Sequence, residues 1–192
     1  MSAKEEIIKN LTVLADNSCT SKLNFIYYDI IHECKIEFPA SSWEKARLAG
    51  YTFDQVLENT KDGTFNLLLW ILRFDFNEND HTIFIKKIIL SSLWRPSTGG
   101  TSPHEDGRGL DIIAIQPNIG KEIVCSTVTK SEPGYFVKLR TNALSQGLIT
   151  QFFSPWTMYY YNKEGQLIEE PNRGITDNEK IHLNHVHFTI SK

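Results

Sequence analysis

Four of the six histidines fall in two short clusters, Ser102-Pro-His104-Glu-Asp-Gly107-Arg-Gly109-Leu-Asp111 and His182-Leu-Asn-His185-Val-His187-Phe188. Together they offer neutral imidazoles and a carboxylate, the donor set that suits zinc. Three such ligands, with a fourth position left to water, make a hydrolytic centre and not a structural one.

The local geometry of each cluster fits that use. Extended backbone sends alternate residues to one face, so His185 and His187 point together while Val186, Phe188 and Ile190 point into a core. His104 and Asp111 stand seven residues apart, and Gly107 and Gly109 between them allow the sharp backbone path that brings both to one ion. Glu105 and Asp106 read as solvated loop charges, and His182 as a surface residue or one that supports a ligand from behind. His32 and His81 have no partner motif.

Stepping outward, these residues need a sheet to hold them. Thr82–Trp94, Leu110–Ile115, Glu122–Val128 and Leu183–Ile190 read as strands, and Met158–Glu169 as a hairpin about Asn162–Gly165. Pro96–Pro103 reads as a turn-rich loop. Pro133-Gly134 opens a helix through Phe136, Leu139 and Leu144 that Gly147 stops. Trp156–Tyr161 reads as core and hairpin packing in preference to a glycan platform.

Earlier in the chain, Ser2 and Glu5 form a capping box before Ile7, Ile8, Leu11 and Leu14 on one helical face. Asn17-Ser18 and Thr20-Ser21 mark the break after it. Leu23–Phe38 is ambiguous between helix and strand. Ser41 and Glu44 suggest a second capping box, a short helix follows Gly50 through Val56 and Leu57, and Phe65–Phe76 reads as a buried helix. The expected fold is α+β: a small antiparallel sheet carrying the metal site, flanked by helices, with a helical N-terminal region. Residues 1–192 read as a single domain, 1–80 mostly helical and 81–192 the metal-site core.

Charge is nearly balanced, 20 basic residues against 23 acidic, with no Lys/Arg run, which argues against a nucleic-acid partner. Cys19, Cys34 and Cys125 are too few and too widely spaced for a disulfide framework or a cysteine metal site. No apolar stretch spans a bilayer, and Met1–Glu6 lacks the apolar core of a signal peptide. Synthesis in the cytoplasm without a signal is expected.

The pattern Ser-x-His-x-x-Gly-x-small-x-Asp, here Ser102, His104, Gly107, Gly109 and Asp111, with the downstream His185-x-His187, resembles a known superfamily. That superfamily comprises the D-alanyl-D-alanine carboxypeptidase, lysostaphin and hedgehog zinc peptidases. The resemblance is greatest to its carboxypeptidase-like branch, which cuts peptide bonds in bacterial cell walls. Ser91-Ser-Leu-Trp-Arg95 is similar to the family's Ser-x-Tyr-Arg segment. The likeness covers residues 88–115 and 181–190; the first 80 residues carry no assignable motif. His-x-His alone would be weak, whereas the combined pattern is fairly specific.

The resemblance implies that His104, Asp111 and His187 bind Zn2+, that His185 serves beside the metal water as base or transition-state stabiliser, and that Arg95 and Ser102 contact substrate. It implies a peptidase for peptidoglycan stem peptides or cross-links; from the missing signal alone, release by phage lysis or through a contractile injection machine is expected. The chain departs from the branch at Asn184, where many members carry Glu or Asp. That leaves His185 or a carboxylate such as Glu179 as base, or an enzyme of low activity. The rival reading is a zinc-binding module of the same fold with a structural or protein-binding role; a metallohydrolase of another amide or ester is a third.

Overall fold

The computed structural model describes residues 2–13, 23–28, 33–77, 82–97, 102–126 and 131–191. His32, His81, Cys19, Leu14, the break around Asn17–Ser21, and the middle of the Pro96–Pro103 loop lie outside them. The elements, in chain order, are α1 (Ala3–Asn10), β1 (Leu11–Val13), β2 (Leu23–Tyr28), β3 (Glu33–Phe38), α2 (Ala40–Leu48), α3 (Phe53–Asn59), α4 (Asp62–Leu72) and β4 (Ile85–Ser92). Then come β5 (Gly109–Pro117), β6 (Ile123–Val124), α5 (Gly134–Ser145), β7 (Gln151–Phe153), β8 (Thr157–Tyr161), β9 (Leu167–Pro171), α6 (Asp177–Ile181) and β10 (Val186–Thr189). The α+β class is as expected.

The sheet differs from the expectation in size and sense. Among the described residues it has ten strands, ordered β1-β2-β3-β4-β5-β10-β7-β8-β9 with β6 paired to β5. The pairing of β3 with β4 is parallel; the other pairings are antiparallel.

The N-terminal region is likewise not simply helical. The Ser2–Glu5 capping box forms, with Ser2 N donating to Glu5 Oε2 at 2.8 Å and Glu5 N to Ser2 Oγ at 3.1 Å. The helix ends at Asn10, however, and Leu11 begins a strand. The ambiguous Leu23–Phe38 segment contributes two strands. In the second, Cys34, Ile36 and Phe38 are buried between more open Glu33, Lys35 and Glu37, the alternation of a half-buried strand. The second expected helix starts earlier than its Ser41 cap: α2 begins at Ala40, with Pro39 at the N-cap position.

The helix expected over Phe65–Phe76 forms but stops at Leu72; Phe65, Leu67, Leu68, Leu69, Ile71 and Leu72 are buried while Asn66 is exposed. Helix α1 packs on α4, α4 on β5 and α2 on β4, so the N-terminal helices stand against the strands that carry the site. The final strand is shorter than expected. Thr176 and Glu179 cap the five-residue helix α6 in a full capping box, and β10 begins only at Val186.

Candidate metal centre

Strand register places two of the predicted ligands. His187 of β10 is the antiparallel partner of Asp111 of β5, so both side chains leave the same face, directly opposite each other. His104 arrives from the loop after β4, and that loop is heavily fixed. Arg95 N donates to His104 O (3.3 Å), Gly107 N to His104 O (3.0 Å) and Arg108 N to Pro103 O (2.8 Å). Trp94 Nε1 donates to Glu105 O at 3.1 Å. Gly107 O accepts from Lys61 N (3.0 Å) and Thr64 Oγ1 (2.7 Å), tying the loop to the start of α4.

The two glycines have distinct tasks. Gly107 has φ 72, and a Cβ there would lie 2.3 Å from Asn59 O. Gly109 makes room: a Cβ on it would stand 2.7 Å from His104 Nδ1 and Cε1. The spacing of the motif is thus a packing requirement as well as a turn.

The ligand atoms converge in a buried pocket. His104 Nε2 lies 3.1 Å from His187 Nδ1 and 3.1 Å from Asp111 Oδ2, while His187 Nδ1 lies 2.6 Å from Asp111 Oδ1. Ligands about 2.0–2.1 Å from a tetrahedral zinc stand roughly 3.3 Å from one another. Two separations fit that edge, and the third is a hydrogen-bond distance. All three residues are buried, and the group could hold a metal ion.

The outer nitrogens have partners of their own, and for His104 that partner is a carbonyl, which only accepts and so fixes its tautomer. His104 Nδ1–H donates to the Leu93 carbonyl at 2.6 Å. His187 Nε2–H donates to Thr189 Oγ1 at 2.7 Å, whose hydroxyl donates to Gln151 Oε1 at 3.0 Å. His104 Nε2 is therefore a lone pair that faces Asp111 Oδ2 at 3.1 Å, while His187 Nδ1 stands 2.6 Å from Asp111 Oδ1. A cation is what satisfies that arrangement. Burial raises the Asp111 carboxyl, but the facing His104 and His187 outweigh it and hold it well below the usual range. Burial lowers His187, with Asp111 opposing. An ionised carboxylate and a neutral imidazole are the forms a metal requires.

Two further imidazoles border this trio. His185 precedes β10, with Nε2 3.7 Å from Asp111 Oδ2 and Nδ1–H donating to Asn184 Oδ1 at 2.9 Å. Asn184, which cannot serve as a base, instead orients His185 so that its bare nitrogen turns toward the ligands. His182 is buried, contrary to a surface reading. Its Nδ1–H donates to Asn178 O at 2.7 Å, and its ring centroid lies 5.0 Å from that of His185 and 5.4 Å from that of His187. Burial and then His187 bring its pKa down to about 4. Burial also lowers His185. The capping box at Thr176–Glu179 was the sequence signal for His182: it starts the helix whose end turns that ring inward.

Glu179, the alternative base, is taken up by the backbone. Its carboxylate accepts from Arg173 N (3.0 Å), Ile175 N (3.1 Å) and Thr176 N (2.7 Å). The Thr176 and Arg173 amides lead in bringing its pKa to about 2. Arg95 and Ser102 do reach the site: Arg95 Nη2 donates to Ser102 Oγ at 3.1 Å, and both line a cavity of about 950 Å³ with His104, Asp111, His185 and His187. Of the aromatic run, Met158 and Tyr159 are core, while Tyr160 lines the cavity and donates to Glu170 Oε1 at 3.2 Å.

Cys34 and Cys125 are buried free thiols; burial pushes Cys34 up to about 12 and Cys125 higher. Among the described residues no helix is long and apolar enough to cross a membrane. Searched against protein-family models, curated proteins and solved structures, the chain matches none.

Proposed function

We propose that this protein is a zinc-dependent peptidase acting on the stem peptides or cross-links of bacterial peptidoglycan. The observation that carries the reading is the buried convergence of His104 Nε2, Asp111 and His187 Nδ1 at a cavity flanked by two more imidazoles. Peptidoglycan as the substrate rests on the resemblance of the Ser102–Asp111 and His185–His187 motifs to the cell-wall zinc peptidases.

Two imidazoles and one carboxylate suit zinc over harder or softer ions. When bound, zinc supplies a Lewis acid for the scissile carbonyl and brings the pKa of its water toward about 7. His104, Asp111 and His187 would hold the ion. His185 Nε2 would take a proton from the attacking water and return it to the leaving amine. Burial favours the neutral form of His185, the form a base needs near neutral pH, and Asn184 holds the ring in register. Arg95, braced by Ser102, lies across the cavity to polarise a carbonyl or pair with a carboxylate.

The test is digestion of purified murein sacculi by protein carrying one zinc per chain, with a chelator-treated sample beside it. Soluble peptides that appear only with zinc, identified by mass spectrometry, are expected. A fully loaded preparation that releases none overturns the reading in favour of a non-catalytic metal module.

A further inference from the structure

The row of residues that begins with the ligands continues across the sheet. Asp111 pairs with His187, His187 with Phe153, Phe153 with Met158, and Met158 with Glu170. A second row runs beside it, in which Thr189 pairs with Gln151 and Gln151 with Tyr160. Alternation along each strand sends both rows to one face. That face is the floor of the cavity of about 950 Å³, which Phe153, Met158, Glu170, Gln151 and Tyr160 all line. From His187 to Glu170 the floor extends three strand spacings, about 14 Å. An extended peptide covers that length with about four residues.

The two rows differ in chemistry. Phe153 and Met158 make an apolar lane. Glu170 ends it, and because Glu170 is exposed the cavity is open to solvent there. The lane beside it is polar. Gln151 is half-buried, its Oε1 accepts from Thr189 Oγ1 at 3.0 Å, and its Nε2 has no acceptor among the described residues. The metal ligand decides which end of this amide is left free. A His187 that binds an ion through Nδ1 carries its proton on Nε2. Thr189 Oγ1, 2.7 Å away, then accepts from that N–H and donates its own hydrogen to Gln151 Oε1. The Gln151 NH2 remains for a ligand. A free donor beside an apolar lane suits a peptide, whose carbonyls need donors and whose side chains need an apolar floor.

We propose that the peptide on one side of the scissile bond lies extended across β10, β7, β8 and β9, over Phe153 and Met158, and that Gln151 Nε2–H donates to one of its carbonyls. Gln151 is the diagonal neighbour of His187 across the β10–β7 pair, about 7–8 Å from it. The carbonyl it meets therefore belongs to a residue about two positions from the cleaved bond. Recognition requires about four residues on that side, and a peptide that spans only the cleaved bond is held weakly. The same amide ends the His187–Thr189–Gln151 chain, so the residue that grips the substrate also holds the hydroxyl behind a metal ligand. The inference rests on the peptidase reading for the bond that is cut, but the binding it predicts needs no cleavage.

The probe is a stem pentapeptide blocked by acetyl and amide at its ends, set against blocked dipeptides that each hold one of its bonds. Each is titrated into zinc-loaded His185→Ala, which keeps the cavity floor. NMR follows the side-chain amide protons of Gln151, assigned by their loss in Gln151→Glu. The pentapeptide is expected to shift those protons and to bind at least about tenfold tighter than any dipeptide. Gln151→Glu keeps an acceptor for the Thr189 hydroxyl and removes the donor. It should weaken the pentapeptide about fivefold, the worth of one hydrogen bond, and leave both dipeptide binding and zinc affinity undiminished. Gln151→Leu removes donor and acceptor together and should lower zinc affinity as well; the zinc titrations report that each variant folds. Pentapeptide binding that leaves the Gln151 protons unmoved overturns the proposal. So does a Gln151→Glu variant that binds the pentapeptide as tightly as before, or that loses pentapeptide and dipeptides alike. Binding through Gln151 by a protein whose zinc-loaded parent releases nothing from murein keeps the track and removes the peptidase. Release from murein without that binding keeps the peptidase and removes the track.

Discussion

Replacing Thr189 by Val tests whether the site depends on residues that never touch the metal. Both are β-branched and of similar shape, so the strand keeps its packing. The pairing of Thr189 with Gly109 and Gln151, and the bond from Thr150 N to Thr189 O, are main-chain features that survive. What disappears is the acceptor for His187 Nε2–H and the donor to Gln151 Oε1. Both His187 and Thr189 are buried, at 4% and 2% exposure, so water does not replace the lost oxygen. A buried donor left unpaired costs about 1–3 kcal/mol. Gln151 is only partly buried and recovers water, which puts the expected loss of stability at about 1–2 kcal/mol. Freed from Thr189, the ring can turn its N–H toward Asp111 and present the wrong tautomer, so zinc affinity should fall about 10–100-fold. Competition with a chromogenic chelator reads the affinity, and urea denaturation of the zinc-free protein reads the stability. Thr189→Ser should restore both. Affinity within twofold of the parent would refute the claim that this hydroxyl sets the ligand.

Other outcomes follow from the same geometry. Gly109→Ala drives a methyl into the His104 ring and should lower zinc affinity by at least an order of magnitude while the far-ultraviolet spectrum stays native; equal affinity would show that the ring position does not matter. His185→Ala should retain one zinc and lose murein cleavage by about 100-fold or more, whereas unchanged cleavage would take the base away from His185. For His182 the folded pKa, about 4, lies below the ordinary 6.5 because burial disfavours the cation. Its contribution is therefore whole above the ordinary value and lost as pH falls toward the folded one. Between pH 7 and pH 4 that amounts to about 3 kcal/mol. Urea denaturation of the zinc-free His182→Gln variant should show a shallower acid limb, and a limb as steep as the parent's would assign the acid loss to other groups.

The metal trio was legible because its constraints are local. Gly107 and Gly109 between His104 and Asp111 announce a tight loop, and alternation along a strand places His185 and His187 together. What closed the site was not local. The Thr189–Gln151 bond depends on β7 lying beside β10, and the register of β10 on β5 decides that His187 meets Asp111. No spacing within a segment encodes either. The strands of the N-terminal region were hidden for a different reason. Glu33 to Phe38 alternates polar and apolar residues, but in the longer run from Leu23 that period is diluted, and helix and strand were left undecided. The parallel pairing of β3 with β4 needs the intervening helices to return the chain, a matter of topology. Trp43 and Lys45 come to line a cavity beside the site only because α2 packs on β4, a long-range contact that no motif in the first 80 residues announces.

Equilibrium zinc binding to the intact chain and to His104→Ala, Asp111→Ala and His187→Ala, with metal content measured on the same samples, bears most directly on the central claim. One zinc per parent chain is expected, with loss of tight binding in each variant and loss of peptide release from murein in parallel. A parent that binds no zinc, or variants that bind it as the parent does, would contradict it.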